Sequence, residues 1–486
     1  MKIIKGLLTL VLILSVTMCL FACSSDEDEN VAPYQFDYTF KKVEDDDGNV
    51  TDRYYIISGF SISAEASDLL NKNDYDALAD LFNTEVKDDD GDIIYSKPET
   101  PYTAETVRYL TIPTTYKNRT VKKIADEAFM AQTLFTKVSI GDNIENIGSG
   151  AFAGCSNLAE ITIPYTGECL GAVNANKEFG YIFGTVSDAN STSTAQTYGV
   201  GSSTTFYIPT SLKKVTVTKG NTISSVTKYF KEKTDDDGKK YTVEVTDADE
   251  ITAKNYDYSK DVDTSVYAVP AYSFYGCTTI TNVTLAGQMT SVEPYTFYGC
   301  TGLLYYSFAD SVTKINAYAF NGCTSLKNVN LNKVDEICED AFNGCTSLGN
   351  TTYGKNDVII NASIVGESAF TGCTAMQTVE FTKKVTLGKN AFSACTKLVE
   401  IKFDIAGSVI GDYAFTGCTM LKSVDLSNVN LINAGAFYGC SALTTVKIST
   451  NPTIIGNHAF GNCEDLEAYY IYSNTTVGED NGPFRK

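Results

Sequence analysis

The 486-residue chain has no tryptophan and a single histidine, His458. It stands in a repeat slot that other copies fill with Tyr, Gly, Asn or Ser, which argues against a Ser-His triad or histidine-based acid–base catalysis, and one imidazole cannot build a multi-histidine metal site. Neither a G-x-G-x-x-G nor a P-loop occurs, so no phosphate-cradling loop is encoded. The absence of any C-x-x-C pair denies zinc its usual thiolate pairs. Asp and Glu are plentiful, yet no pair stands out as the acid and base of glycoside hydrolysis. These gaps describe a non-enzyme without cofactor or metal. Basic clusters are missing too. With 38 Lys+Arg against 59 Asp+Glu and a net charge of −21, the chain repels polyanions, so no nucleic-acid partner is expected. Lack of tryptophan weakens a sugar-binding reading, although 31 tyrosines keep it open.

Long apolar runs are also scarce. The one present, Leu7–Leu20, follows Lys2 and Lys5 and reads as an export signal over residues 1–22. It falls short of the roughly 20 residues that span a bilayer. Leu20-Phe21-Ala22-Cys23 matches a bacterial lipobox, which makes Cys23 the lipidation site and the membrane a partner through an N-terminal lipid anchor. Residues 23–33 form an acidic tether, either a solvated spacer or a surface-export signal. The expected address is the bacterial envelope, at the outer membrane and cell surface.

What the chain has in abundance is repetition. A phenylalanine is followed three residues later by Cys155, Cys277, Cys300, Cys323, Cys345, Cys373, Cys395, Cys418, Cys440 and Cys463. From Phe274 to Phe460 the steps are 23, 23, 22, 28, 22, 23, 22 and 23 residues. An eleventh copy at Phe129 carries Gln132 in place of the cysteine. A fixed step of this size marks a β-rich solenoid. Each unit continues as L-x-x-V-x-I, for example Leu421–Leu426, whose alternation predicts a short strand with one buried face. A second apolar pair, such as Ile432 with Ala436-Phe437, fills the opposite wall. Stability then lies in the stack, because a lone coil cannot bury both faces. At strand spacing the nine units predict one parallel sheet about 40 Å long.

The cysteines share one repeat position, so their Cβ vectors run parallel, a poor geometry for disulfides. They read as a structural ladder of buried thiols lying over the loop carbonyls between coils. Cys169 and Cys338 stand outside the ladder, with no role assigned. His458 occupies a slot filled elsewhere by Tyr, Gly, Asn or Ser, which suggests a tolerant, exposed turn.

The A-F-x-G-C-x-x-L-x-x-V-x-I unit resembles the BspA-like (Treponema-type) leucine-rich repeat family of bacterial surface proteins. The stretch from Leu110 to Phe129 resembles that family's opening repeat. The resemblance covers residues 106–163 and 268–472. It implies a right-handed superhelix with parallel strands on one face, and extracellular adhesion or partner binding.

Residues 34–104 read as an N-terminal α+β cap with one short helix at Asp74–Phe82. Residues 105–164 hold the first repeats, 165–267 an expanded repeat, and 268–486 the main array. Within the expansion, 165–205 reads as loop and Phe206–Val217 as another repeat strand. Ser225–Lys231 with Lys240–Thr246 form an inserted hairpin. The Asp-Asp-Asp-Gly runs ending at Gly48, Gly91 and Gly238 read as solvated hairpin tips rather than calcium loops.

The open strand face is the candidate binding surface. Asn282, Tyr305 and Asn328 offer amides beside an aromatic ring. Glu380, Lys402, Asp425 and Lys447 alternate in charge at one strand position, with Glu400 beside them. They form either a ligand track or a lateral ion-pair ladder that stabilises the sheet. The function read from all this is adhesion or macromolecular binding to an extracellular protein, with glycan capture as the alternative. A passive envelope spacer is the third reading.

Overall fold

The computed structural model describes residues 32–477, apart from 46–47, 88–90, 200, 220–224, 235–239, 246–257, 264–268, 286–288, 350–356, 449–453 and 471–475. Cys23 and residues 1–31 lie outside the described residues.

Among the described residues, the L-x-x-V-x-I segments form parallel front strands. Tyr109–Thr111, Lys137–Ser139, Glu160–Ile163, Lys214–Val217, Asn282–Leu285 and Tyr305–Ser307 make one sheet in that order. Alternation holds: Val424 and Leu426 are buried while Ser423 and Asp425 face outward. The single long front sheet expected from the spacing is not what forms. After Tyr305–Ser307 the ladder thins to isolated bridges, Tyr305 to Asn328 and Leu331 to Ile360. A three-stranded sheet covers Asp357–Ile360, Thr378–Phe381 and Glu400–Phe403. Another covers Ser423–Leu426, Thr445–Ile448 and Ala468–Tyr470. Asparagine is a poor strand former, and Asn328 and Asn330 sit at the first break. At the second, Asn428 Nδ2 donates to the Phe403 carbonyl at 2.6 Å, satisfying with a side chain what a neighbouring strand would otherwise take.

The continuous sheet is on the opposite wall. Strands from Ser291–Val292 to Thr476–Val477, each two to four residues long, pair in parallel nine deep. The sequence shows only an apolar pair there, too short to announce a strand. Connecting the walls is a turn in which backbone bonds also run from coil to coil. Phe297 N–H donates to Ala319 O and Gly299 N–H to Asn321 O, both at 2.8 Å. The residue two before each Phe is left-handed, with φ of 58° at Tyr295, 56° at Asn390 and 54° at His458. His458 is half-buried rather than exposed.

Between the walls the phenylalanines stack. Phe320 and Phe342 are 5.1 Å apart at 3°, and Phe342 and Phe370 5.1 Å at 10°. Both Phe342 and Phe370 are fully buried. Glycine in the Val365-Gly366 slot has a steric cause: a Cβ there would lie 2.6 Å from Glu339 N. Cys338 fills the equivalent slot one coil earlier, with its thiol 3.5 Å from Glu336 Oε1. Nothing in the structure explains that exchange.

The N-terminal region is α+β. Tyr34–Glu44 and Val50–Ile62 pair antiparallel, and the second strand pairs in parallel with Arg119–Ile124, extending the back wall. Two helices follow rather than the one expected, Ala64–Lys72 and Tyr75–Phe82. Ser63 and Asp74 cap them, accepting from Ala66 N and Ala77 N at 3.1 Å each. Left-handed Asn73 (φ 56°) separates them. This region contributes Ile57, Phe60, Leu78 and Phe82 to the same core as the repeats.

The segment 165–205, expected to be loop, contains structure. Ser191–Gly199 and Ser202–Pro209 form an antiparallel hairpin, and Phe179–Phe183 is a 3₁₀ turn. Its threonine-rich strands carry β-branched residues that favour pairing but lack an apolar alternation. Ser225–Thr234 pairs with Lys240–Val245 as expected, and a third strand, Tyr258–Asp263, joins them.

Candidate binding face

Two shallow clefts open on the front face, one at each break in the strand ladder. The first, about 290 Å³, brings Asn282, Tyr305 and Asn328 together with Thr284, Ser307 and Asn330. Tyr305 is 45 % exposed, its ring flanked by amides and hydroxyls. The second, about 310 Å³, gathers Glu400, Lys402, Asp404, Asp425 and Asn428. Where neighbouring strands separate, their outward side chains line a depression instead of a flat ladder.

Six of the eight candidate face residues therefore fall in two groups, and Glu380 and Lys447 lie outside both clefts. The alternating row is not one ladder. Glu380 pairs in register with Lys402, and Asp425 with Lys447, but the sheet break lies between the two pairs. Lys447 Nζ meets Asp425 Oδ2 at 2.9 Å, whereas Lys402 turns to Glu400 on its own strand at 3.6 Å. Partial burial pulls the Asp425 pKa upward, but hydrogen bonds from Lys447 and Ser427 outweigh it and hold the carboxyl below its ordinary value.

A fuller lateral ladder lies where the sequence pattern did not point. Glu160 stands between Lys214 at 2.7 Å and Lys137 at 3.7 Å, and Lys137 in turn sits 5.4 Å from the Tyr109 ring centre. The hydrogen bond from Lys214 holds the Glu160 pKa down. Such exposed pairs contribute little each, so this row positions strands more than it stabilises them.

Tyrosines line the turn edge. Tyr272, Tyr295 and Tyr318 stack face to face at 4.8 and 4.7 Å, both at 4°. Beside them Tyr275 and Tyr298 stack at 4.8 Å. The Lys177 ammonium lies over Tyr272 at 5.4 Å. The signal for these stacks was present: Y-S-F-Y-G-C and Y-T-F-Y-G-C stand 23 residues apart, followed by Y-A-F-N-G-C.

The twelve described cysteines are free. Nine of the ten ladder thiols donate to the carbonyl of the phenylalanine one coil earlier. Examples are Cys300 to Phe274 at 3.0 Å, Cys323 to Phe297 at 3.1 Å and Cys155 to Phe129 at 3.2 Å. Sulfurs of Cys345, Cys373, Cys395, Cys418, Cys440 and Cys463 repeat the contact at 3.1–3.4 Å. Cys277 follows the expanded repeat and accepts from Gln196 Nε2 at 3.5 Å instead. Burial pushes the Cys300 and Cys395 thiols up to about 12, so they stay protonated and unreactive. Among the described residues no group of three His, Cys, Asp or Glu is placed to hold a metal ion.

The sequence matches the family described as BspA type Leucine rich repeat region, in six copies, over residues 122–233, 258–364 and 363–481. This chain belongs to the BspA-type leucine-rich-repeat family. No curated protein matches it. Among solved structures it is similar to a leucine-rich repeat protein from Bacteroides ovatus at 18 % identity. That alignment covers 88 % of this chain and 91 % of the other, with a TM-score of 0.37. A leucine rich cell surface protein from Faecalibacterium prausnitzii aligns at 18 % identity over 93 % and 96 %, with a TM-score of 0.25. A leucine-rich repeat protein from Eubacterium ventriosum aligns at 16 % over 92 % and 100 %, with a TM-score of 0.35. As a BspA-type protein the chain is a leucine-rich-repeat scaffold. Among the described residues no helix is long and apolar enough to cross a membrane.

Proposed function

We propose that this BspA-type protein is exported, anchored by lipid at Cys23 to the outside of the cell, and adheres through its front face to extracellular macromolecules. The observation that carries the reading is the pair of clefts at the two sheet breaks, which gather six of the outward candidate side chains into two groups. Parallel strands joined by crossovers are right-handed in nearly every known case, and that hand is assigned to the stack. Residues 23–33 act as the tether and 34–104 as the cap, with binding left to the repeats.

Purified mature protein is expected to bind saturably to matrix-protein surfaces or to other bacterial cells, and to lose binding when Lys402 and Asp425 are both changed to Ala. Saturable binding to neither surface removes the adhesion reading. An intact-mass shift on Cys23, lost in Cys23→Ala, tests the anchor separately. Cleavage of the protein on whole cells by added protease tests its outward orientation.

The second reading is glycan capture, favoured by exposed Tyr305 among Asn282, Asn328 and Asn330. Glycan-array hits that vanish in Tyr305→Ala promote it above adhesion. Silence in every assay leaves an envelope spacer.

A further inference from the structure

We propose that the pocket between the N-terminal cap and the first repeat binds a small, neutral molecule with a planar aromatic body. The pocket is an open cleft of about 480 Å³, within the range of small-molecule sites. It lies beside a core whose side chains are otherwise fully enclosed, Phe129 and Phe152 among them.

Its walls come from four segments, one of them the loop that carries Thr100, Tyr102 and Thr103. The cap hairpin supplies Tyr34, Phe36 and Phe60, the second cap helix Phe82, and the first coil Leu110 and Phe135. These rings meet largely edge to face: Tyr34 and Phe36 at 88°, Phe36 and Phe60 at 70°, Phe60 and Phe135 at 60°. A flat aromatic guest continues that arrangement. No Lys, Arg, His, Asp or Glu lines the pocket among the described residues. A charged ligand would lose its hydration there with nothing opposite to replace it. What polarity exists is neutral. The Tyr102 phenol is raised in pKa by burial and hydrogen-bonded to Tyr34, so it stays protonated. Thr103 and Thr106 at the rim are hydrogen-bonded to each other. The ligand's own polar group is accordingly a hydroxyl, carbonyl or amine without charge. This site is separate from the front-face clefts and does not depend on the adhesion reading.

Two fluorescent probes with the same rings make the test. N-phenyl-1-naphthylamine is neutral, and 1-anilino-8-naphthalenesulfonate adds one negative charge. The mature chain is expected to bind the neutral probe saturably at one site, at least about tenfold more tightly than the anion. Thr111, exposed on the first front strand at the pocket rim, provides the block: Thr111→Trp should weaken the neutral probe about tenfold or more with an unchanged melting midpoint. Thr100→Trp, from the facing loop, should do the same if the first variant folds poorly. Non-saturable binding, equal affinity for both probes, or undiminished binding in a folded rim variant would each overturn the proposal.

Discussion

The sulfur of Cys345 lies 3.1 Å from the backbone oxygen of Phe320, and that oxygen already accepts from Cys323 N–H at 3.1 Å. The thiol is thus a second donor to a satisfied carbonyl, and a small apolar filler between coils. Cys345→Ala should cost only about 1–2 kcal/mol, mostly from the lost sulfur volume. Urea unfolding followed by far-UV circular dichroism checks this. A loss above about 4 kcal/mol would mean that the thiol ladder holds the stack together rather than merely filling it.

Reactivity should divide the thiols by position. Cys169 and Cys338 are half-buried, while the ladder sulfurs are buried, and burial raises thiols such as Cys345 well above the ordinary range. Burial also raises Cys169, and Cys338 to about 11, so prolonged iodoacetamide treatment of native protein at mildly alkaline pH should label those two first through their greater access, leaving the ten ladder cysteines for the denatured chain. Peptide mass spectrometry reads the pattern. Native labelling at Cys323 or Cys373 would show that the coils open far more readily than their packing indicates.

Phe342 makes the opposite case. Its ring is stacked on both sides, at 5.1 Å from Phe320 and from Phe370, and is fully buried. Phe342→Ala should cost about 3–5 kcal/mol. Because coils lean on their neighbours, hydrogen exchange should accelerate across several adjacent repeats and leave the cap protected. Uniform acceleration through residues 34–82 would indicate a single cooperative unit instead.

How far such effects could be foreseen depends on the residue. The Phe and Cys ladders were legible because the spacing places each copy on its predecessor, and a buried position repeated ten times has one simple explanation. The back wall was not, since strands such as Glu336–Ile337 are two residues long and leave no period to count. The breaks in the front sheet were hidden for a related reason: Asn428 reaches the Phe403 carbonyl from outside the strand motif. Without that contact in view, the charged row looks continuous. Helix Ala64–Lys72 escaped because its capping Ser63 follows directly on a thirteen-residue strand. Glu178 carried no signal at all, as nothing in Asn-Lys-Glu-Phe-Gly marks a buried carboxyl.

Glu178 gives the pH dependence. It is fully buried at the start of the 3₁₀ turn Phe179–Phe183, and neither carboxyl oxygen has a hydrogen-bond partner among the described residues. Burial pushes its pKa up to about 9, with Lys177 opposing. In the unfolded chain it returns to the ordinary carboxylate range near about 4.3. Between those values the folded state holds a proton that the unfolded state has released, so stability is complete below the unfolded pKa and declines as pH rises through about 9. Glu178→Gln keeps the shape without the proton. Its melting midpoint should stay closer to constant from about pH 5 to about pH 9 than that of the unaltered chain. Parallel curves for the two proteins over that interval would show that Glu178 is hydrated and ordinary.

The pair Asp425–Lys447 decides between a ladder and a track. Both side chains are more than half exposed and 2.9 Å apart, so their coupling should be about 0.2–1 kcal/mol and should shrink in high salt. A double-mutant cycle with Asp425→Ala and Lys447→Ala measures it. The charge-swapped double variant, Asp425→Lys with Lys447→Asp, should recover the stability lost by either swap alone, because a lateral ion pair is indifferent to which strand carries which sign. Binding to a macromolecular surface is not indifferent, since reversing the order presents a different pattern to the partner. Recovery of stability together with unchanged adhesion would assign the pair to the sheet alone. Recovery of stability with lost adhesion would make Asp425, at the rim of the second cleft, part of the surface the partner reads.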